Sequence, residues 1–163
     1  MNIWKRIGTI FLVSISCVGC DQTTKLLATE YLPKGGMDTY FYDILRVGYT
    51  ENIGAFLGIG NSLSEEYRYG IFVVAVGAII CGLLLYLVLN SKQNYYSVAA
   101  LSLVFSGGIS NFFDRVVNNG AVVDFLNIGF GSVIRTGVFN VADMAIFLGT
   151  FVYFIIEQKR LVT

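Results

Sequence analysis

The chain has 163 residues, of which 55% are hydrophobic and only 13% charged, with eleven basic and eleven acidic side chains giving a formal net charge of zero. A soluble domain is about a quarter charged, so this composition, with a mean hydropathy of +0.68, excludes an ordinary water-soluble globule, and the neutral balance leaves no electrostatic footprint for nucleic acid. Histidine is absent, which removes Ser-His-Asp and Cys-His nucleophile systems and every His-ligated metal site. The single proline and the lack of low-complexity tracts predict one integral-membrane domain over residues 1–163.

The first predicted span covers about residues 7–28. Lys5 and Arg6 precede the apolar run, and Gly19-Cys20 follows it, the pattern of a bacterial lipoprotein signal peptide. Against cleavage there, Cys17 occupies the −3 position where an apolar residue is usual, and the run continues into Asp21-Gln22-Thr23-Thr24-Lys25. Removing this segment would leave three spans, so the expectation is that it is retained. Cys17 and Cys20 have redox-motif spacing but lie in a hydrophobic helix with no strand before it. They and Cys81 read as small hydrophobes.

Residues 70–89 carry no charge at all and, at 1.5 Å per residue, cross a hydrocarbon core of roughly 30 Å. A third span is predicted over 97–115 and a fourth over 138–156. Lys5 and Arg6, Lys92, and Lys159 and Arg160 all fall on one side, which the positive-inside rule makes the cytoplasm. Both termini are then cytoplasmic, and the two longer connections, 29–69 and 116–137, face outward. The predicted fold is an all-α membrane protein of four transmembrane helices, with a small extracytoplasmic β-like or loop segment between spans one and two. Tyr31, Tyr40, Phe41, Tyr42 and Tyr49 suit a segment lying against the headgroups, and 40–56 is long enough to fold over a cleft as an aromatic cradle or lid.

Polar groups inside membrane spans cost about 2.5–3.5 kcal/mol for an acid at a helix centre, so each is a functional candidate by default. Five clusters reach the same outer level: Asp21 to Lys25; Asn52-Ile53-Gly54-Ala55-Phe56; Gly107-Gly108-Ile109-Ser110-Asn111-Phe112-Phe113-Asp114-Arg115; Val122-Val123-Asp124-Phe125; and Phe139-Asn140-Val141-Ala142-Asp143. Plain structural duties are available for most. Asp21 and Lys25 stand at i,i+4 in the favourable order for a helical ion pair. Asn140 and Asp143 resemble an N-cap and an N3 acid. Asp114-Arg115 fits a span ending at the headgroups, and Asn52-x-Gly54 fits a turn. Asp124, between Val123 and Phe125 in an apolar run, has no such duty.

Without histidine or a thiol candidate, a carboxylate pair is the natural catalytic reading. Two close aspartates cannot both ionise, so they share a proton near neutral pH. The ionised member then takes a proton from water while its partner protonates a carbonyl oxygen. Buried acids also serve as proton relays, which keeps a small proton-coupled carrier in view, and a non-catalytic membrane scaffold is a third reading. The acids cluster at one level and do not line a path through spans two and four, which favours the enzyme.

The five clusters, in this order and with this topology, resemble the lipoprotein signal peptidase (signal peptidase II) family of bacterial inner-membrane aspartyl proteases. The resemblance implies a catalytic dyad of Asp124 and Asp143 and a substrate site lined by Asn111, Arg115 and Asn140. Asn52 and Gly54 match further motif positions that suit substrate positioning, and Asp21, Lys25, Gly108 and Asp114 match positions of supporting character. It implies a diacylglyceryl-prolipoprotein substrate cut on the N-terminal side of the lipidated cysteine, inhibition by globomycin-like cyclic peptides that occupy the dyad, contact with membrane lipids, no cofactor or metal, and action as a monomer. Ser110, where the family pattern suggests glycine, and Met144, where serine is common, are departures.

Overall fold

The computed structural model describes residues 1–54, 64, 66, 67, 70–131 and 134–162. Helix α1 runs Ile3–Tyr31, capped at its start by the Asn2 side chain, which accepts from the Trp4 N–H at 3.1 Å. A π-helical stretch at Gly70–Ala75 winds directly into α2, Val76–Leu89. Helix α3 spans Tyr95–Val117, with Asn94 accepting from the Ser97 N–H at its N-cap, and α4 spans Val141–Val162. Helices α1, α3 and α4, and the continuous helical segment Gly70–Leu89 that contains α2, are each long and apolar enough to cross a membrane. The first and third helices run a few residues beyond the predicted spans at both ends, the second coincides with 70–89, and the fourth starts three residues later and ends six residues later than predicted, at Val141 and Val162.

Helix α3 is the central element, packed against α1 and α4 over most of its length and against α2. Its buried face is made of small polar residues, Ser97, Ser102, Ser106 and Ser110, interleaved with Val98, Ala100 and Phe105. The Ser106 and Ser14 hydroxyls meet at 3.0 Å across the α1–α3 contact. Small side chains let helix backbones approach where no hydrophobic effect drives them together. Gly107 and Gly149 carry this furthest: a Cβ on Gly107 would collide with the Ala142 carbonyl and the Ile146 side chain, and one on Gly149 with the Ala100 carbonyl.

The connections do more than link helices. Strands β1 (Asp38–Tyr40), β2 (Leu45–Asn52), β3 (Val122–Phe130) and β4 (Ile134–Arg135) form one antiparallel sheet in the order β1-β2-β3-β4. The first two come from the connection between α1 and α2, where a β-like segment was expected. The other two come from the connection between α3 and α4, so the longest strand arises where only a loop was anticipated. The β1–β2 turn places Phe41, Tyr42 and Asp43 in the left-handed region, with φ of 53°, 55° and 67°, costly for residues with side chains. Asp43 holds the turn together through Arg46 at 2.7 Å and Arg135 at 3.6 Å. The Arg46 guanidinium keeps the Asp43 carboxyl below the usual carboxylate range, with a smaller contribution from Arg135.

Candidate active site

The site forms where the sheet meets the helix ends, and pairing register assembles it. Val47 pairs with Leu126, but Thr50 pairs with Asp124, so β2 carries one extra residue at Gly48–Tyr49. Such a bulge re-aims the strand beyond it. Asn52 then lies two residues past Asp124's partner, on the same face, and donates its Nδ2 to Asp124 Oδ2 at 2.9 Å. Phe139 bridges back onto β3: its carbonyl accepts from the Phe125 and Leu126 N–H groups at 3.1 and 2.9 Å, and its own N–H reaches the Leu126 carbonyl at 2.8 Å. That bridge delivers Asn140 and the first turn of α4 beside Asp124.

Asn140 is fully buried and has two jobs. Its Oδ1 accepts from the Asp143 N–H at 2.9 Å, while the Asp143 carboxylate reaches back to the Asn140 N–H at 3.2 Å. This reciprocal pair is a capping box with Asn in the first position and Asp in the fourth. Its Nδ2 donates to Asp124 Oδ1 at 2.7 Å and to Asn111 Oδ1 at 3.1 Å. Asn111, on α3, completes the ring by donating Nδ2 to Asp143 Oδ1 at 2.9 Å. Each oxygen of the two carboxylates thus accepts from a neutral amide, and among the described residues no cation pairs directly with either.

Asp124 is 1% exposed. Burial pushes its carboxyl up to about 7, the nearby Asp143 charge adds to the rise, and the Asn52 and Asn140 amides and the more distant Lys25 restrain it. The group therefore keeps a proton near neutrality, as a desolvated acid beside another acid should.

Behind the ring lies a charged knot. The Lys25 ammonium sits 2.7 Å from Asp21 and 2.8 Å from Asp114, all three side chains being almost wholly buried, and donates to Asn111 Oδ1 at 2.8 Å. Asp21 also accepts from the Ala142 N–H at 2.7 Å, satisfying an orphan donor at the α4 N-terminus. Asp114 takes the Val123 N–H at 3.3 Å. The Asp21–Lys25 ion pair forms at i,i+4 on α1 as anticipated, and the same two side chains also link α1 to α3 and α4. Gln22 and Ser110 complete the knot: Gln22 donates to Ser110 Oγ at 3.0 Å and to Asp114 at 2.8 Å, and the Ser110 hydroxyl donates to Asp21 at 2.7 Å. Both lie in the polar clusters of the sequence, but neither was assigned a role; a glutamine beside a buried acid in a span was the available signal. The hydroxyl of Ser110, the departure from the family pattern, is absorbed by this network.

Arg115 is buried as well, at 8% exposure, and not extended to headgroups as a span-ending arginine would be. It donates Nη2 to the Gly54 carbonyl at 2.7 Å and lies 5.6 Å from the centre of the Phe72 ring. Gly54 closes the predicted turn by donating its N–H to Asn52 Oδ1 at 3.1 Å. Gly108 meets only Ile80 at an ordinary distance; the close helix approach falls on its neighbour Gly107. Ala55 and Phe56, which end the second cluster and the predicted lid segment, lie outside the described residues. Among the described residues no three His, Cys, Asp or Glu side chains converge as a metal site.

On its lateral side the site opens into a groove of about 1080 Å³ between α1 and α4, with Asp143 at its sheet-facing end.

Comparison with known proteins places this arrangement. The family model described as Signal peptidase (SPase) II matches residues 13–158. A lipoprotein signal peptidase of Brevibacillus brevis is 32% identical over 139 residues, covering 85% of this chain and 87% of that protein. One from Borreliella burgdorferi is 30% identical over 165 residues, covering 96% of each. A solved bacterial membrane enzyme, determined by the in meso method at 2.3 Å, superposes with a TM-score of 0.79 at 30% identity, covering 94% of this chain and 89% of that one. A second, at 1.9 Å, gives 0.76 at 29% identity and 94% of each. With four membrane-length helices, the small sheet and a family match over nearly its whole length, this chain belongs to the signal peptidase II family of bacterial membrane proteases.

Proposed function

We propose that the chain, acting as a single peptidase domain over residues 1–163, is an aspartic endopeptidase that removes the signal peptide from diacylglyceryl-modified prolipoproteins, cutting N-terminal to the lipidated cysteine. The observation that carries this reading is the ring of amides around Asp124 and Asp143, two acids with which no cation pairs directly among the described residues. Such a pair retains one proton between them. Asp124, the more deeply buried member, holds that proton and gives it to the scissile carbonyl oxygen. Asp143, which faces the groove, takes a proton from the attacking water. Collapse of the tetrahedral intermediate then needs a proton on the leaving amine, which Asp143 returns, while Asp124 recovers its own from the former carbonyl oxygen. Arg115 and Asn111 serve to hold Gly54, Asn52 and the dyad in register. Asp21, Lys25 and Asp114 brace the helix ends.

Placement follows from charge. Lys5, Arg6, Lys92, Lys159 and Arg160 lie at helix ends away from the connections that form the sheet, which by the positive-inside rule supports a cytoplasmic position for that end and a dyad at the outer face of the inner membrane. Phe41 and Tyr42 stand exposed on the β1–β2 turn, suited to the headgroup region where aromatic rings anchor. A cyclic peptide inhibitor of the globomycin kind fits the same place, between the dyad and the groove. Every residue given a role here belongs to one chain, which supports action as a monomer.

The test is release of signal peptide from a diacylglyceryl-modified prolipoprotein by the purified protein in detergent. Asp124→Asn and Asp143→Asn variants, each shown to be folded, run beside it. Cleavage by the wild type, lowered at least about 10³-fold in both variants, is expected. A folded wild type that leaves this precursor intact would overturn the reading.

A further inference from the structure

We infer that Ser110 is a positioning residue for Asp143, its hydroxyl acting through Asp21 to fix the start of α4 against α3. The assignment rests on the peptidase reading above and traces part of that reaction's rate to a side chain outside the amide ring.

A serine inside a helix commonly returns its hydroxyl to the carbonyl one turn back. Ser102 does so onto Val98 at 2.7 Å, and Ser106 onto Ser102. Ser110 does not: its hydroxyl crosses to α1 and donates to Asp21 Oδ2 at 2.7 Å. Gln22 sets that direction. Its Nε2 donates to Ser110 Oγ at 3.0 Å, so the oxygen already accepts there and the hydroxyl proton is left to face the carboxylate. Ser110 is wholly buried, and bulk water does not compete for the bond.

Asp21 passes the constraint on. With Oδ2 held by Ser110 and by the Lys25 ammonium at 2.7 Å, the carboxylate plane is fixed, and Oδ1 meets the Ala142 N–H at 2.7 Å. The Ala142 carbonyl is confined as well, since it lies so close to Gly107 that no Cβ fits between them. Ser110 and Ala142 are the chain neighbours of Asn111 and Asp143, whose side chains meet at 2.9 Å. A second tie, Ser110–Asp21–Ala142, thus runs beside the first, one residue back on each helix. One tie fixes a distance; two fix an orientation. Because the Lys25 pair does not depend on the hydroxyl, Ser110 contributes direction and not charge balance.

Orientation of this kind bears on rate. A displacement of about 1 Å at a reacting group can cost about 100-fold, and the carboxylate of Asp143 takes its place from the backbone that Asp21 holds. Ser110 does not line the groove between α1 and α4, so its loss should be felt in the chemical step and not in the binding of substrate.

Ser110→Ala removes the hydroxyl and little else. With a diacylglyceryl-modified prolipoprotein and the purified variant in detergent, kcat should fall at least about tenfold while KM stays within about twofold. Ser110→Thr, which restores a hydroxyl, should recover most of the rate. A readout that needs no cleavage runs beside these. In protein carrying isotopically labelled alanine, the Ala142 amide resonance, identified by its loss in Ala142→Gly, should move upfield in Ser110→Ala as its bond to Asp21 lengthens. An unchanged kcat in Ser110→Ala, equal losses in folded alanine and threonine variants, or an Ala142 resonance that stays in place would each overturn the inference. Failure of the two readings is distinguishable. Wild-type cleavage with Ser110→Ala equally active sinks only the positioning role. A displaced Ala142 resonance in a protein whose wild type leaves the precursor intact sinks only the peptidase reaction.

Discussion

The Lys25 ammonium donates to Asn111 Oδ1 at 2.8 Å, and that single contact fixes which way the Asn111 amide faces. With its oxygen held by a cation, only its nitrogen is left to point at Asp143, which it reaches at 2.9 Å. A charged residue on α1 thus orients a catalytic candidate on α4 through a neutral side chain on α3. Removing the ammonium by Lys25→Met strands the buried carboxylates of Asp21 and Asp114, a loss of about 3–5 kcal/mol. The thermal midpoint in detergent should fall by about 10 °C, and signal-peptide release should fall with it. A midpoint unchanged from wild type would show that the knot does not brace the bundle.

Asn140 separates capping from chemistry. Asn140→Ala removes a helix cap, typically about 1 kcal/mol, together with the amide on Asp124, so cleavage should drop about 100-fold with only a small change in midpoint. Asn140→Asp keeps an oxygen to cap the helix but sets a third carboxylate against Asp124. Burying that extra charge should lower the midpoint below that of the alanine variant, and cleavage should be lost more completely. The reverse ranking in a paired melting and rate assay would mean that Asn140 acts only as a cap.

The raised Asp124 carboxyl gives a pH dependence with a definite sign. Its folded value of about 7 lies above the ordinary 3.8, so between these pH values the unfolded chain binds fewer protons than the folded one. Stability must then decrease as pH rises across that window. Activity, which needs one shared proton, should fall as pH rises through about 7. Melting and initial rates measured from pH 5 to 9 check both, and Asp124→Asn should flatten this contribution to the melting slope. A rate that keeps climbing well past pH 8 would exclude Asp124 as the proton holder.

Two adjacent glycines should behave oppositely. A methyl on Gly107 meets the Ala142 carbonyl and Ile146, whereas one on Gly108 finds Ile80 at 3.5 Å, an ordinary contact. Gly107→Ala should therefore destabilise by about 1–3 kcal/mol and displace the α4 N-terminus that carries Asp143. Gly108→Ala should melt and cleave like the wild type. Equal effects at both positions would remove the close α3–α4 approach as the explanation.

The sequence made the helices and most of the polar clusters legible for different reasons. Long uncharged runs such as 70–89 have one plausible fate, and a polar residue inside such a run stands out by its cost. Asp124 could be picked out this way, and the capping pattern of Asn140 and Asp143 could be read from spacing alone. The sheet could not. The strand Val122–Phe130 is buried on both faces through Phe125, so it lacks the alternation that announces a half-exposed strand, and its partner lies more than seventy residues away in sequence. Arg6 was read only as an orienting charge, yet it is 2% exposed and donates to the Val88 carbonyl at 3.1 Å. Gln22 was likewise given no role within its cluster, because local pattern does not reveal which side chains a neighbouring helix will cover.

The pairing of β2 with β3 has a consequence for biogenesis. Asn52 is synthesised early and Asp124 late, with two membrane crossings between them, and Asp143 follows only with the last. Non-local contacts of this kind form after the intervening chain is in place. A chain translated only as far as α3 and β3 holds Asp124 without Asp143, and so lacks the pair proposed to do the chemistry. On the proposed reading, proteolytic competence arrives only with the final transmembrane segment, which carries Asp143.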